Sequence, residues 1–148
     1  MGVYYLDTSA LVKLYVREPG TDEMTRLADA AAGNKLAILS LSRVEFRAAV
    51  RRRERLSDVT REVADTLIAR MEAHLETIYL VHPATDSVIE EATALLDRHP
   101  LRAYDALQLA GCLSLRARSN ERPSFVCSDQ VLLRAAEDEG LAVIDPAR

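Results

Sequence analysis

With 148 residues, of which 49% are apolar, the chain has material for one packed core, so a single domain over residues 1–148 is expected. A formal charge of −4 excludes a protein that coats nucleic acid through bulk positive charge, and two cysteines set in apolar runs exclude a disulfide-stapled secreted scaffold. Asp7 and Lys13 interrupt the first apolar stretch, and Leu6 stands where a myristoylation signal needs Ser or Thr, so no leader or lipid anchor is read and a cytoplasmic, membrane-free protein is expected.

Along the chain, short β-branched or aromatic runs alternate with longer stretches of helical period, the pattern of βα units around a mainly parallel sheet. Strands are predicted at residues 3–6, 36–41, 78–81, 124–127 and 141–144. Helices are predicted at 9–16, 22–32, 43–55, 58–75, 86–98, 102–118 and 130–139. In the fourth helix Val59, Val63, Leu67, Met71 and Leu75 recur every four residues, with charged side chains between them. Leu56-Ser57-Asp58 separates it from the arginine-rich helix before it, with Ser57 or Asp58 as the expected cap, so the two should form a helical hairpin. The stretch from Ala103 to Leu115 is apolar almost all round, as in a helix buried on more than one side. Residues 119–123 form the most polar connection and read as a mobile loop.

The chemistry lies with the acids. Asp7 closes the apolar run Val3-Tyr4-Tyr5-Leu6 and precedes a helix start, and Asp129 repeats the arrangement after Phe125-Val126-Cys127-Ser128. Ligands of open α/β sheets bind at the carboxyl ends of strands, although a capping role suits either residue taken alone. Glu45 follows the second strand, and its spacing from Ser42 also fits a capping box. Asp105 lies in the most apolar helix, where a charge needs a cleft, an arginine such as Arg102, or a cation. Together the four reach one edge of a parallel βα fold. Clustered carboxylates repel one another, a divalent ion relieves that repulsion, and an oxygen-only donor set suits Mg²⁺ or Mn²⁺ over zinc.

Other chemistries lack their residues. His74, His82 and His99 stand apart and read as surface or loop positions, so neither a zinc site nor a Ser-His-Asp arrangement is supported. The five glycines build no phosphate-cradling loop. Cys112 and Cys127 read as buried reduced thiols. Arg43, Arg47, Arg51, Arg52, Arg53 and Arg55 crowd one segment, which fits either a solvated helix face or contacts to phosphate.

Four blocks in order resemble the PIN-domain nucleases, and within them the VapC toxins of bacterial toxin-antitoxin pairs: Tyr5-Leu6-Asp7-Thr8-Ser9-Ala10-Leu11-Val12-Lys13-Leu14, Ser42-Arg43-Val44-Glu45, Leu101-Arg102-Ala103-Tyr104-Asp105-Ala106-Leu107-Gln108-Leu109-Ala110, and Phe125 to Leu133. The resemblance implies a three-layer α/β/α sandwich on a five-stranded, mainly parallel sheet. It implies Asp7 and Asp105 as main ligands of Mg²⁺ or Mn²⁺, with Glu45 and Asp129 completing the shell directly or through water. Thr8 and Ser9 would order the Asp7 turn or a metal-bound water. It further implies endonucleolytic cleavage of RNA by a metal-activated water, a homodimer, and inhibition by a VapB-like antitoxin. Arginine is unusually dense between Arg43 and Arg61, and Arg52 and Arg53 are the candidate RNA contacts. A receiver-like signalling domain also gathers acids on such a sheet but needs a lysine after the fifth strand, and the only lysines are Lys13 and Lys35. A PIN-like enzyme of RNA processing, or a catalytically inactive binding module, would keep the same fold.

Overall fold

The structure, a computed structural model, describes residues 1–148. Strands β1 (Val3–Leu6), β2 (Lys35–Leu39), β3 (Tyr79–His82), β4 (Ser124–Val126) and β5 (Ala142–Ile144) form one sheet in the order β3-β2-β1-β4-β5. Every pairing is parallel, and Tyr5 of the central strand stands beside Ala37 on one side and Phe125 on the other. A parallel sheet needs helical crossovers and has both faces covered. Helices α1 (Thr8–Val12), α2 (Thr21–Ala28), α3 (Ser42–Arg55) and α4 (Arg61–Thr77) cover one face. Helices α5 (Asp86–Arg98), α6 (Ala103–Arg118) and α7 (Gln130–Asp138) cover the other, giving the three-layer sandwich.

Strand alternation sorts the side chains between these layers. Tyr5, Ala37, Leu39 and Phe125 enter the core shared with α5, α6 and α7, whereas Leu6, Leu36, Ile38 and Val126 enter the core under α1 to α4. Gly111 decides how closely α6 approaches the sheet: a Cβ there would stand 2.2 Å from the Tyr5 hydroxyl and 2.9 Å from Leu39 Cδ1. Only a residue without a side chain lets α6 lie against β1 and β2 at this depth. No helix is long and apolar enough to cross a membrane.

Element boundaries move where a local hydrogen bond outcompetes the apolar period. The first helix ends at Val12 rather than at residue 16, and Lys13 turns inward to pair with Glu18 at 2.8 Å. The second breaks at Asp29, whose extended backbone and carboxylate start a separate 3-10 turn, Ala30–Ala32. β2 stops at Leu39, because Leu41 already occupies the cap position of α3. The helical hairpin forms as expected, but its second helix is capped by Thr60, which accepts from the Val63 amide; Ser57 takes a left-handed φ of 63° at the end of α3, so neither it nor Asp58 is the cap. Residues 119–123 are tethered through the Ser119 hydroxyl to the Leu115 carbonyl and through Lys35 to Glu121. His82 is not a surface or loop residue: it ends β3, is buried, and meets Ser114 Oγ through Nε2 at 3.0 Å. His74 likewise belongs to α4, its Nδ1 2.7 Å from the Tyr15 hydroxyl. Both cysteines are free and buried.

Candidate active site

β1 and β4 lie side by side and end at the same edge, and the Asp7 amide continues their ladder by donating to the Val126 carbonyl at 3.1 Å. Asp7 is then the N-cap of α1: its Oδ1 accepts from the Ala10 amide at 2.9 Å and from Ser9 Oγ at 2.7 Å. Capping therefore engages one carboxylate oxygen, and Oδ2 takes no part in it. The residue is only 5% exposed, and burial raises its pKa from 3.8 to about 6 against the lowering effect of those two hydrogen bonds. Asp129 caps α7 in the same manner, its Oδ1 accepting from Val131 and Leu132. Capping and a role in the pocket are thus not alternatives for these two residues, because each needs a different oxygen. The two turns are stitched together where the Ser128 amide donates to Ser9 Oγ at 3.3 Å.

Glu45 sits in the first turn of α3, yet the capping box with Ser42 does not form: Leu41 holds the cap position and no side chain caps the helix. Ser42 is instead fully buried, and Glu45 turns toward α6. There Gln108, 2% exposed, places Nε2 at 2.8 Å from Glu45 Oε1, 3.1 Å from Ser42 Oγ and 3.2 Å from Thr8 Oγ1, while the Tyr5 hydroxyl donates to its Oε1 at 3.4 Å. One side chain thereby joins β1, the start of α1, α3 and α6. Burial raises the Glu45 pKa, opposed by the hydrogen bonds from Gln108 and Thr8. Asp105 lies one turn before Gln108 on α6, on the same face. Its pKa is raised by burial and by Asp129, against the lowering effect of Arg102, whose Nε donates to Oδ2 at 3.3 Å.

The four carboxylates sense one another: Asp105 raises the pKa of both Asp7 and Glu45, and Asp129 raises that of Asp105. The single cation paired with any of them is Arg102, which also lies 4.0 Å from Asp129 Oδ2 and whose side chain is 85% exposed. No three Asp, Glu, His or Cys side chains stand close enough to hold an ion jointly, so the carboxylates form an electrostatic cluster and not a closed ligand shell. The donor chemistry nevertheless fits a hard divalent cation: every candidate ligand is oxygen, the negative charge is undercompensated, and the Ser128 hydroxyl beside Asp129 is buried without a hydrogen-bond partner. Cys127, in the same turn, is no ligand; burial pushes its thiol pKa up, and its sulfur accepts from the Asp129 amide.

Gln108, which the sequence reading carried only as part of a motif, is the residue it missed; the signal was a polar side chain three positions after Asp105 in an otherwise apolar helix. The two candidate RNA contacts differ. Arg53 is ion-paired with Glu18, whereas Arg52 is exposed without an acidic partner. A cavity of about 560 Å³ beside Arg116, Arg122 and Gly140 contains none of the four acids.

Residues 4–138 match the PIN domain family. The chain is 30% identical over 144 residues to Ribonuclease VapC47 of Mycobacterium tuberculosis (strain CDC 1551 / Oshkosh), covering 96% of each protein. Among solved structures it is similar to FitAcB from Neisseria gonorrhoeae, with a TM-score of 0.68 and 14% identity over 97% of each chain. It is also similar to VapBC2 from Rickettsia felis bound to a DNA fragment from its promoter, with a TM-score of 0.64 and 13% identity over 96% of this chain and 97% of that one. The four-block motif, the parallel sandwich and these matches agree: the chain belongs to the PIN-domain family and has a VapC ribonuclease among its relatives.

Proposed function

We propose that this protein is an endoribonuclease dependent on Mg²⁺ or Mn²⁺, and the toxin of a toxin-antitoxin pair. The observation that carries the reading is the cluster of Asp7, Glu45, Asp105 and Asp129 at the carboxyl edge of β1 and β4, partly buried and offset by one exposed arginine. Such an arrangement costs stability in the absence of a cation, and it has the charge and donor type that a hard divalent ion requires. Asp7 and Asp105 would hold the ion, with Glu45 and Asp129 completing the shell directly or through water. When bound, the ion polarises a phosphoryl oxygen and lowers the pKa of water.

The chain's own residues do the rest. Ser9 and the Ala10 amide fix the Asp7 carboxylate, Gln108, which also donates to Thr8, fixes that of Glu45, and the Val131 and Leu132 amides fix that of Asp129. Asp105 Oδ1, outside the contact with Arg102, and the Glu45 carboxylate would orient the attacking water. Hydrolysis forms a bond between the water oxygen and phosphorus as the water gives up a proton, and the departing sugar oxygen leaves with the bonding pair and takes up a proton in its place. Arg52, exposed at the far end of α3, contacts substrate phosphate.

Because relatives of this fold are described as VapBC and toxin-antitoxin complexes, a VapB-like antitoxin is the proposed protein partner. A homodimer acting in the cytoplasm completes the reading. Antitoxin-free protein, incubated with a panel of fluorescently labelled structured RNAs, is expected to cut at internal positions with Mg²⁺ or Mn²⁺, to stop with EDTA, and to resume on adding Mn²⁺ back. No cleavage of any RNA under metal-replete conditions would refute the nuclease reading in favour of a PIN-like module that only binds.

A further inference from the structure

Arg102 is the only cation ion-paired with any of the four acids, and it is poorly held. It contacts Asp105 Oδ2 at 3.3 Å through Nε, reaches Asp129 Oδ2 only at 4.0 Å through Nη2, and leaves 85% of its side chain in solvent. Exposed pairs of this length are weak and cost little to break. Two arginines of α3 are tied more firmly: Arg53 is two-thirds buried against Glu18, and Arg51 joins Glu54 and Asp65, both at 2.7 Å. Arg102 also heads the first turn of α6, where its backbone is extended and its side chain caps nothing. Nothing in helix termination or packing accounts for a guanidinium at this position.

We propose that Arg102 alternates between two partners, shielding Asp105 and Asp129 while no metal is bound and gripping the substrate phosphate once a divalent ion takes those carboxylates. This rests on the metal-dependent nuclease reading and extends it to substrate binding. A doubly charged ion at Asp105 and Asp129 removes what holds the guanidinium and repels it. The freed side chain stays tethered at the rim of the same pocket. Its planar fork suits two oxygens of one phosphate, which a lysine ammonium matches only as a point charge. Arg102 thereby competes with metal in the free protein and contributes to catalysis in the loaded one.

Three proteins test this: wild type, Arg102→Gln and Arg102→Lys, each first checked for a wild-type circular dichroism spectrum and cooperative melting without metal. Mn²⁺ alone is titrated into each by calorimetry, and RNA cleavage is then measured at saturating Mn²⁺. Arg102→Gln is expected to bind Mn²⁺ about five-fold tighter, the upper end of what an exposed ion pair withholds. Its metal-saturated kcat/KM is expected to fall by at least about ten-fold, with Arg102→Lys falling between it and wild type. Unchanged or weaker Mn²⁺ affinity in Arg102→Gln overturns the shielding role, and unchanged metal-saturated cleavage overturns the phosphate role. If wild type binds Mn²⁺ and cuts RNA while Arg102→Gln matches it in both, this proposal alone fails. If wild type binds no Mn²⁺, the metal-dependent reading fails with it.

Discussion

The carboxylate edge and the α3–α4 hairpin use charge in opposite ways. In the hairpin, Arg43 meets Glu72 at 2.8 Å, Arg51 bridges Glu54 and Asp65, and Arg53 meets Glu18, so three of the six arginines between Arg43 and Arg55 are paired with acids from their own and neighbouring elements. At the edge of β1 and β4, four acids share one loosely attached arginine, and burial raises the pKa of three of them. Half of the arginine run that stands out in the sequence is therefore tied up in ion pairs, and the acids scattered along the chain make the less compensated charge. Partners, more than local density, distinguish a solvated face from a site.

The comparison is broken most directly at the acids. Asp105→Asn, or Asp7→Asn, is expected to lower RNA cleavage at saturating metal by at least about a hundred-fold while the fold persists; full activity in either variant, measured on the same RNA, would remove that residue from the site. The next effect is on stability. At Gly111, alanine would gain about 1 kcal/mol in helix propensity, but overpacking typically costs about 1–3 kcal/mol. With a Cβ 2.2 Å from the Tyr5 hydroxyl, Gly111→Ala is expected to be net destabilising. Urea denaturation should show part of that loss recovered in the double variant with Tyr5→Phe, which removes the closest atom and leaves the contact to Leu39.

Protons probe the same imbalance. The pKa of Asp7 rises from 3.8 to about 6 on folding, so its ionisation opposes folding: the stability linked to its proton is fully present below about pH 4 and is lost as pH rises through about 6. Metal-free protein should therefore melt at a higher temperature at pH 5 than at pH 7.5, by an amount equivalent to at most ~3 kcal/mol. Asp7→Asn should flatten that dependence and raise metal-free stability at neutral pH. Mn²⁺ affinity should run the other way, weakening as pH falls through about 6. The smallest effect belongs to the hairpin: Arg52→Gln should lower the salt slope of RNA binding by roughly 0.7, and Arg53→Gln should lower it less, because Glu18 already engages that guanidinium. An unchanged slope in Arg52→Gln would make this helix a solvated face throughout.

The alternation of strands and helices and the acids could be read early because both follow from local pattern. The α5 boundaries, Asp86–Arg98, fall where the periodicity put them, with Thr85 as cap, and Asp7 and Asp129 announce themselves by closing apolar strands before helix starts. Glu45 was ambiguous for an equally local reason: Ser42 and Glu45 spell a capping box, and only the docking of α6 draws Ser42 to Gln108 and leaves Glu45 facing the pocket. The role of Gln108 depends on residues up to 103 positions away, which no short window contains. Thr60 displaced Ser57 and Asp58 as a cap because the turn after α3 needed Ser57 in a left-handed conformation, a demand of chain reversal that apolar spacing does not encode.

Cys127 lies at the hinge between these local and distant contacts, fully buried beside the Asp7 and Asp129 turns with its thiolate disfavoured. A soluble alkylating reagent can reach that sulfur only while the end of β4 has come away from its neighbours. The rate at which the thiol is consumed therefore works as a clock for breathing of the acidic edge, and a bound cation that knits the turns together would slow it.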